Sequence, residues 1–542
     1  MLPNSLRGSY TIYKEDTDSV ATWLASTARR CGYPLDLLTT LGENAVSQKA
    51  SRLKGKARKL AKAAASTKGE GPEIAGSGST TYTIAIKDFI PLAEHIVAYQ
   101  KPPVKVPSAF VRSLDRAIAF RQKHNLWFKD IGRSSRGDGH TFFLGILEQV
   151  RKTLRSRMPS DTVNDMMTRS ATESKSETTS RAHIGNAFGG LTLDVTSDRF
   201  SDSASTPDNP QAPIEVNDGA HYQAERLQKA EEQYLAAHCL LIDLDSIREH
   251  IKSIWRLYRD RLIDLHAASI TTNTAVELIR HMQEDYDKRF PSHADFEGLV
   301  NIFYGSQCFH QGEDPEHKEM PDDPFNFAMY EVADEILLPT YVIMSSLSDI
   351  SDPREIPIYK SGHFGHRDLS TPWSQKSPRG KFEDDKLVML ESFAGLRALA
   401  MNQPLAEDEL IRGIREMTPG KKVPLWLVFA AQNFLDIQHV MGDDAPRALT
   451  ELQSGAALIE ASLTQNFKFH ENLRSKNWPP YNDQGLSQIQ FRIDTWVKQD
   501  AVKIIIEHFA SGNFIVAPDI DIEPFKLLKQ YPLLCGLWLF SL

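Results

Sequence analysis

The sequence predicts an all-α protein with a helical N-terminal domain closed by a long helical hairpin, a disordered linker and a second multi-helix domain. Two observations lead to this prediction. Between residues 220 and 290 the apolar side chains recur three, four or seven positions apart, which is the spacing of one face of a long α-helix. Most other apolar stretches of the chain show the same period. We therefore take the 220–290 region as the element around which the rest is arranged.

The 220–290 region is predicted to form two helices. The first presents apolar or aromatic residues along one face: Tyr234, Ala237, Leu241, Leu244, Ile251, Trp255, Tyr258, Leu262 and Leu265. This pattern stops at residues 267–269, and Thr274 and Glu277 have the spacing of a capping box. The turn is therefore predicted at residues 267–274, with the second helix starting at its end. Since both helices need partners, we predict an antiparallel hairpin that completes the N-terminal domain.

Composition divides the chain into four regions. Residues 1–158 form the helical N-terminal part, and residues 219–290 form the hairpin. Residues 159–218 are rich in Ser, Thr and Asp and poor in large apolar side chains, so they cannot bury enough surface to offset the entropy of ordering. We predict that this insert is disordered. Residues 291–542 form the second helical domain.

The N-terminal part contains a helix at residues 10–31, with Trp23 beside its apolar side and Gly32 as the residue that ends it. Further helices are predicted at residues 110–128 and 141–158, because their apolar residues are in helical phase. These helices are the predicted partners of the hairpin.

A run of basic residues at 49–62 is a candidate binding site. Within it, the patch of Lys54, Lys56, Arg58 and Lys59 could bind a polyanion or serve as a nuclear-import signal. Residues 1–160 carry a formal charge of +13, and the whole chain carries −9, so the remainder carries −22. Attraction between these two parts, or a solvated helix face, explains the run equally well and more commonly. Nucleic acid is therefore a possible partner but not the favoured one.

The second domain contains seven predicted helices, at residues 296–304, 325–347, 382–401, 406–417, 423–441, 445–473 and 486–509. The helix at 325–347 should be kinked at Pro339. The helix at 423–441 is apolar on nearly every side, which predicts that it is the most buried. Residues 532–542 form an apolar run, for which we expect either a truncated chain or a terminal helix packed into the core.

The 542-residue chain is 41% hydrophobic, which suits a globular protein with more than one core. Its four cysteines, Cys31, Cys239, Cys308 and Cys535, have no C-x-x-C spacing, so they predict neither a disulfide framework nor a zinc finger. The first residues lack the apolar segment of a secretory signal, and no apolar run approaches the roughly 20 residues of a spanning helix. We expect an intracellular protein without membrane contact, in either the cytoplasm or the nucleus.

Several segments together resemble a fungal family catalogued as domain of unknown function 6604. They are Tyr13-Lys14, Asp16-Thr17, Val20-Ala21-x-Trp23-Leu24, Cys31-Gly32-Tyr33-Pro34, Asp243-Leu244-x-x-Ile247-Arg248, Trp255-x-x-Tyr258-Arg259 and Thr271-Thr272-Asn273-Thr274. The resemblance covers about the first 290 residues and implies no activity. It singles out Trp23, Trp255, Tyr258 and Asn273 as structural residues of the pattern. One departure is Arg261, where such sequences tend to have Gly.

Four short motifs imitate chemical sites. The kinase-like His366-Arg367-Asp368-Leu369 lacks the following Asn, and the P-loop-like Gly420-Lys421-Lys422 lacks the Ser or Thr that would bind magnesium. His363, His366 and Asp368, and Cys308 with His310, are metal-ligand types in loops that the sequence does not bring together. No catalytic residue, metal site or cofactor is predicted.

The leading hypothesis is an interaction or scaffold protein without catalytic activity, with one or more protein partners. The first alternative is an enzyme in the C-terminal helical region, where the polar loop at 359–381 could form a lid or a pocket rim. The second alternative is a nucleic-acid binder that uses the basic run.

Overall fold

The computed structural model describes residues 8–34, 81–130, 137–159, 221–226, 229–291, 296–352, 355–357, 362–368, 370–473, 483–512 and 523–542. Over these residues the chain forms 17 α-helices and one two-stranded sheet, which confirms the all-α prediction. Contacts divide the described residues into two compact units, residues 9–235 and residues 236–542. Apart from Pro159, the predicted disordered insert lies outside the described residues.

The first unit contains α1 (Ser9–Arg30), β1 (Thr81–Ile84), α2 (Phe89–Ala98), α3 (Ser108–Asp130), α4 (Gly137–Leu154) and β2 (His221–Ala224). Helix α1 ends where predicted, because Gly32 adopts a φ of 86°, which a residue with a side chain rarely takes. The two strands are parallel, with Thr81 opposite His221 and Ile84 opposite Ala224. The sequence analysis contains no strand, since such a distant pairing leaves no local pattern.

A polar network lies at the centre of this unit. Arg121 of α3 is fully buried, and its Nε donates to the Tyr13 hydroxyl at 2.7 Å. Its Nη1 donates to the His140 carbonyl at 3.3 Å, and its guanidinium lies 4.0 Å from the centre of the Phe143 ring. Burial lowers the pKa of Arg121, and Tyr13 partly opposes that shift. The network therefore joins α1, α3 and α4 through one cation.

Helices α5 (Lys229–Arg259) and α6 (Leu265–Arg289) form the hairpin, and the boundary between the two units falls inside α5. Trp255 is buried, and its Nε1 donates to Thr272 Oγ1 at 2.9 Å. This bond joins the two helices near the turn.

The turn lies at residues 260–264, so the turn predicted at 267–274 is wrong. The threonine that suggested a cap is part of the helix instead, because the Thr272 hydroxyl donates to the Ala268 carbonyl at 2.9 Å. Arg261 adopts a φ of 63°, a left-handed conformation that Gly takes without steric cost. This explains why the resembled family tends to have Gly at that position.

The remaining helices are α7 (Phe296–His310), α8 (Tyr330–Glu335), α9 (Leu338–Asp349), α10 (Pro378–Met401), α11 (Glu409–Glu416), α12 (Leu425–Met441), α13 (Arg447–Leu473), α14 (Gln484–Arg492), α15 (Ala501–Gly512), α16 (Lys526–Gln530) and α17 (Pro532–Ser541). Helix α12 is buried along nearly its whole length, as predicted. The predicted kinked helix at 325–347 is wrong. It is two helices, α8 and α9, which are separated where Leu337 adopts a φ of 63°.

Helix α6 supplies acceptors to the first turns of two other helices. Asn273 Oδ1 accepts from the backbone N–H of Glu409 at 3.1 Å, and Gln283 Oε1 accepts from that of Trp426 at 2.8 Å. Such N–H groups have no partner within their own helix, so each bond fixes a helix end against α6. The sequence analysis assigned the hairpin to the N-terminal domain, whereas these contacts are with helices of the 236–542 unit.

Helix α17 is packed into the core of the second unit, against α6 and α13. The contact with α6 is very close at Gly536, where a Cβ atom would lie 2.1 Å from Ser269 Oγ and 2.8 Å from the Leu265 carbonyl oxygen. Only a residue without a side chain allows this approach of the two backbones.

Replacing Gly536 by Ala should destabilise the second unit by about 1–3 kcal/mol, because the new methyl group would overlap with α6 and force the helices apart. The measurement is urea unfolding of the full chain. Gly305→Ala is the matched control, because Gly305 is also helical and nothing lies within 4 Å of its Cβ position. That variant should be neutral or more stable. Equal transition midpoints for the two variants would contradict the close packing.

Candidate functional site

The most densely charged buried site in the described part of the second unit surrounds Arg248 of α5. Arg248 Nε donates to Asp436 Oδ2 at 2.6 Å and Nη2 donates to Asp436 Oδ1 at 3.0 Å. On its other side, Nη1 donates to Asp334 Oδ2 at 3.0 Å and to the Asp334 carbonyl at 3.2 Å. One guanidinium is thus shared by two carboxylates, each in a two-bond geometry. We call Arg248, Asp334, Asp436, Asp385 and His439 the Arg248 cluster.

The position of Asp436 explains why the cluster exists. Asp436 lies on the almost entirely buried α12, where a carboxylate without partners would be very costly. Besides Arg248, it accepts from Gln432 Nε2 at 3.0 Å, one turn earlier on the same helix. Gln432 in turn accepts from the Thr340 hydroxyl of α9. The charge is therefore completely solvated by protein groups from three helices.

The electrostatics follow from this pairing. Burial alone would raise the pKa of Asp436, but the charge and hydrogen bonds of Arg248 outweigh it, and the pKa is lowered. Burial likewise tends to lower the pKa of Arg248, but Asp436 and Asp334 raise it well above its usual value. Both groups therefore stay ionised at neutral pH.

A carboxylate–histidine pair lies next to this arrangement. Asp385 of α10 is buried and its Oδ1 lies 2.8 Å from Nε2 of His439 on α12. Trp373, in a short 3-10 turn before α10, stacks on the imidazole with ring centroids 3.6 Å apart and an interplanar angle of 18°. Burial raises the pKa of Asp385, and the neighbouring His439 opposes this shift. The loop at 359–381, expected to form a lid, thus contributes an aromatic cover over this pair.

The residue types of the cluster could in principle perform chemistry. An Asp–His pair can move a proton, and an arginine can bind an anion. Here, however, Nε, Nη1 and Nη2 of Arg248 all bind carboxylates of the chain itself. His439 lies between Asp385 and Trp373, with 17% of its side chain exposed. The arrangement as it stands joins α5, α8, α10 and α12.

The sequence analysis missed the role of these residues. Arg248 was noted only as part of the family pattern. The available signal was Asp436, a charged residue inside a helix whose other residues are almost all apolar. Such a residue implies a buried partner, but the partner lies 188 positions away, and no local pattern identifies it.

The residues that the resemblance singled out make specific contacts. Trp23 packs on Phe110, with ring centroids 4.2 Å apart. Tyr258 lies edge-on to Trp255 at 5.5 Å, and its hydroxyl donates to Glu451 at 3.1 Å. Asn273 makes the contact with the first turn of α11 given above. The basic patch of Lys54, Lys56, Arg58 and Lys59 lies outside the described residues.

The imitated chemical motifs have ordinary structural contacts. Asp368 Oδ1 accepts from the backbone N–H groups of Ser370 and Thr371 at 2.9 and 3.2 Å, which closes a turn. Cys308 is buried, and burial raises its pKa. Within the described ranges, no group of three or more His, Cys, Asp or Glu residues is arranged to hold a metal ion.

A second buried carboxylate, Asp408, lies at the start of α11. Its Oδ1 accepts from the Ile411 N–H at 2.9 Å, and its Oδ2 accepts from the Tyr531 hydroxyl. Burial raises the pKa of Asp408 to about 6, although the bond from Tyr531 opposes the shift. Beside it lies a small cavity, lined also by Asn433, with room for about one water molecule.

Helix α13 has a surface of a different kind. One side is buried through Leu452, Ala456 and Leu463. The opposite side is exposed and uncharged over four turns, and we call it the α13 face: Ser454, Leu458, Ala461, Ser462, Gln465 and Phe469. Leu458 is 75% exposed and Phe469 is 58% exposed. A soluble helix ordinarily has charged residues on its outer side, so this face is unusual.

Comparison with known proteins identifies a family but no function. A family described as "Family of unknown function (DUF6604)" matches residues 11–288. No curated protein and no solved structure matches the chain. Among the residues that the structure describes, no helix is long and apolar enough to cross a membrane.

Replacing Arg248 by Met should destabilise the second unit by about 3–5 kcal/mol, because it leaves the Asp436 charge buried without its cation. Arg259→Met is the matched control, since Arg259 pairs with Asp260 at the surface and such pairs contribute about 0–1 kcal/mol. Urea unfolding of the full chain measures both. Adding Asp436→Leu to Arg248→Met should restore part of the loss. If Arg248→Met unfolds at the same urea concentration as Arg259→Met, the cluster does not hold the helices.

The pKa of Asp408 predicts a pH dependence of stability. The pKa rises from 3.8 to about 6 on folding, so between these values the folded chain holds a proton that the unfolded chain has lost. The stabilising contribution is therefore complete below about pH 4 and disappears as the pH rises through about 6. Asp408→Asn should remove this dependence, because Asn stays neutral and can still accept from Ile411.

The test is the free energy of unfolding of wild type and Asp408→Asn between pH 4 and pH 7, values chosen to span roughly this window. The exposed Asp443 provides the control variant Asp443→Asn. The difference between wild type and Asp408→Asn should change over the window, whereas the Asp443→Asn difference should stay constant. A constant difference for Asp408→Asn would show that Asp408 is ionised throughout.

Proposed function

We propose that this chain, which belongs to the family of unknown function DUF6604, is an interaction or scaffold protein that binds a partner protein through the α13 face. The observation that carries the proposal is the combination of exposed apolar side chains and missing charge on that face. Leu458 and Phe469 lie three helical turns apart on it, with only Ser, Ala and Gln residues between them on the same side.

Physical reasons favour a protein partner over permanent exposure. Burying a Leu or Phe side chain contributes roughly 1.5–3 kcal/mol each, so two such residues are effective anchors. The central part of a protein–protein interface is depleted of charged residues, as this face is. A straight apolar side of a helix is suited to an amphipathic helix of the partner, which places its own apolar residues at the same spacing.

The buried charges support the same proposal. The Arg248 cluster is used to hold four helices together, and a rigid helical unit presents the α13 face in a fixed geometry. All four cysteines are free and buried, which is compatible with an intracellular location. The enzyme alternative and the nucleic-acid alternative, the latter through Lys54, Lys56, Arg58 and Lys59, stay predictions.

The test introduces charge into the face. Leu458→Glu with Phe469→Glu should leave folding intact, because both side chains are exposed, but should weaken partner binding by roughly 100-fold or more if each anchor contributes as estimated. Gln453→Glu with Thr464→Glu is the matched control, since these residues are exposed on another side of the same helix. It should bind like wild type.

The measurement has two steps. Proteins captured from cells by wild type and by the control, but not by the face variant, are purified, and their affinity for the three chains is determined by calorimetry. Capture of the same proteins by all three chains would contradict the proposal. Self-association that only the face variant loses would identify the partner as a second copy of this chain.

A further inference from the structure

The small cavity beside Asp408 lies where four elements of the second unit meet. Its lining includes Asn273 of α6, Asp408 before α11, Asn433 of α12 and Tyr531 before α17. It has room for about one water molecule. Four polar side chains around a space of this size are unusual in a core whose other residues are largely apolar.

Asn433 supplies the decisive observation. The side chain is 2% exposed, and its Nδ2 donates to the Phe429 carbonyl at 2.7 Å. This bond fixes which end of the amide is nitrogen, because a carbonyl oxygen can only accept. Asn433 Oδ1 is then a buried acceptor, and no described residue donates to it. Buried acceptors of this kind are nearly always satisfied in folded proteins, by protein or by water.

We propose that the cavity is a specific binding site for one structural water molecule that donates a hydrogen bond to Asn433 Oδ1. The site has the properties such a water requires, which are sufficient space and two to four polar partners. Its second proton can go to the oxygens of Asp408 and Tyr531, which line the same cavity, and the Asn273 side chain is the fourth polar group there. The water links α12 to the segments around α6, α11 and α17.

This site explains a choice of residue that packing alone does not. A Leu at position 433 would fill a similar volume in the buried α12 without any need for a hydrogen-bond donor. The asparagine is favoured only if something in the cavity donates to it. The bound water thus makes a polar residue compatible with the most buried helix of the unit.

The first test is a high-resolution crystal structure of the full chain. We expect one ordered water within hydrogen-bond distance of Asn433 Oδ1 in the wild type, and none in Asn433→Leu. Oxygen-17 relaxation dispersion in solution should likewise show about one long-lived water more in the wild type than in Asn433→Leu. A dry cavity in the wild type, or a protein donor on Asn433 Oδ1, would overturn the proposal.

A second variant covers the case in which Asn433→Leu does not fold. Ala430 also lines the cavity, and Ala430→Val would occupy the space of the water. If the water is bound, Ala430→Val displaces it, leaves Asn433 Oδ1 without a donor and lowers the Tm. If the cavity is dry, the added methyl groups fill a void and raise the Tm, which would contradict the site. The sign of the Tm shift distinguishes the two cases.

Discussion

The charge of Asp436 is the constraint on which the second unit depends. Helix α12 is buried on almost every side, so a carboxylate on it can exist only beside a cation that is equally buried. Arg248 is that cation, and it lies on the hairpin helix α5. Because Arg248 also binds Asp334 at the end of α8, the pairing fixes the positions of three helices with one side chain. Replacing such a pair by apolar residues can be neutral, so its value lies in specifying one arrangement as much as in stability.

The second hairpin helix, α6, acts through different forces on the same unit. Its Asn273 and Gln283 bind backbone N–H groups in the first turns of α11 and α12, and its backbone approaches α17 at Gly536. The two hairpin helices therefore provide an ion pair, two helix caps and a close backbone contact. The family match ends at residue 288, yet the partners of these contacts lie beyond it. The contacts within the matched region are thus completed by helices that follow it.

The surface and the interior of the second unit differ in a way that bears on function. Its buried charges are paired internally and fix the helices, whereas the α13 face has no charge and exposes Leu458 and Phe469. A rigid frame with one apolar outer face has the physical properties of a binding module. The polar cavity at Asn433 fits the same picture, because it shows that polar residues in the core have defined partners rather than free capacity for a substrate.

The sequence by itself determined the all-α architecture, the end of α1 at Gly32 and the burial of α12, because periodicity and glycine conformation are local properties. It did not determine the hairpin turn. Thr271 to Thr274 have side chains that favour caps, but the packing of Ala268 and Ser269 inside α6 outweighs this local preference. The parallel pairing of β1 with β2 and the Arg248 cluster were also beyond it, although Asp436 stood out as a charge in an apolar helix. Only the tertiary structure decided these features, since each joins residues that are far apart in the chain, and the partner of a buried group leaves no mark on the residues next to it.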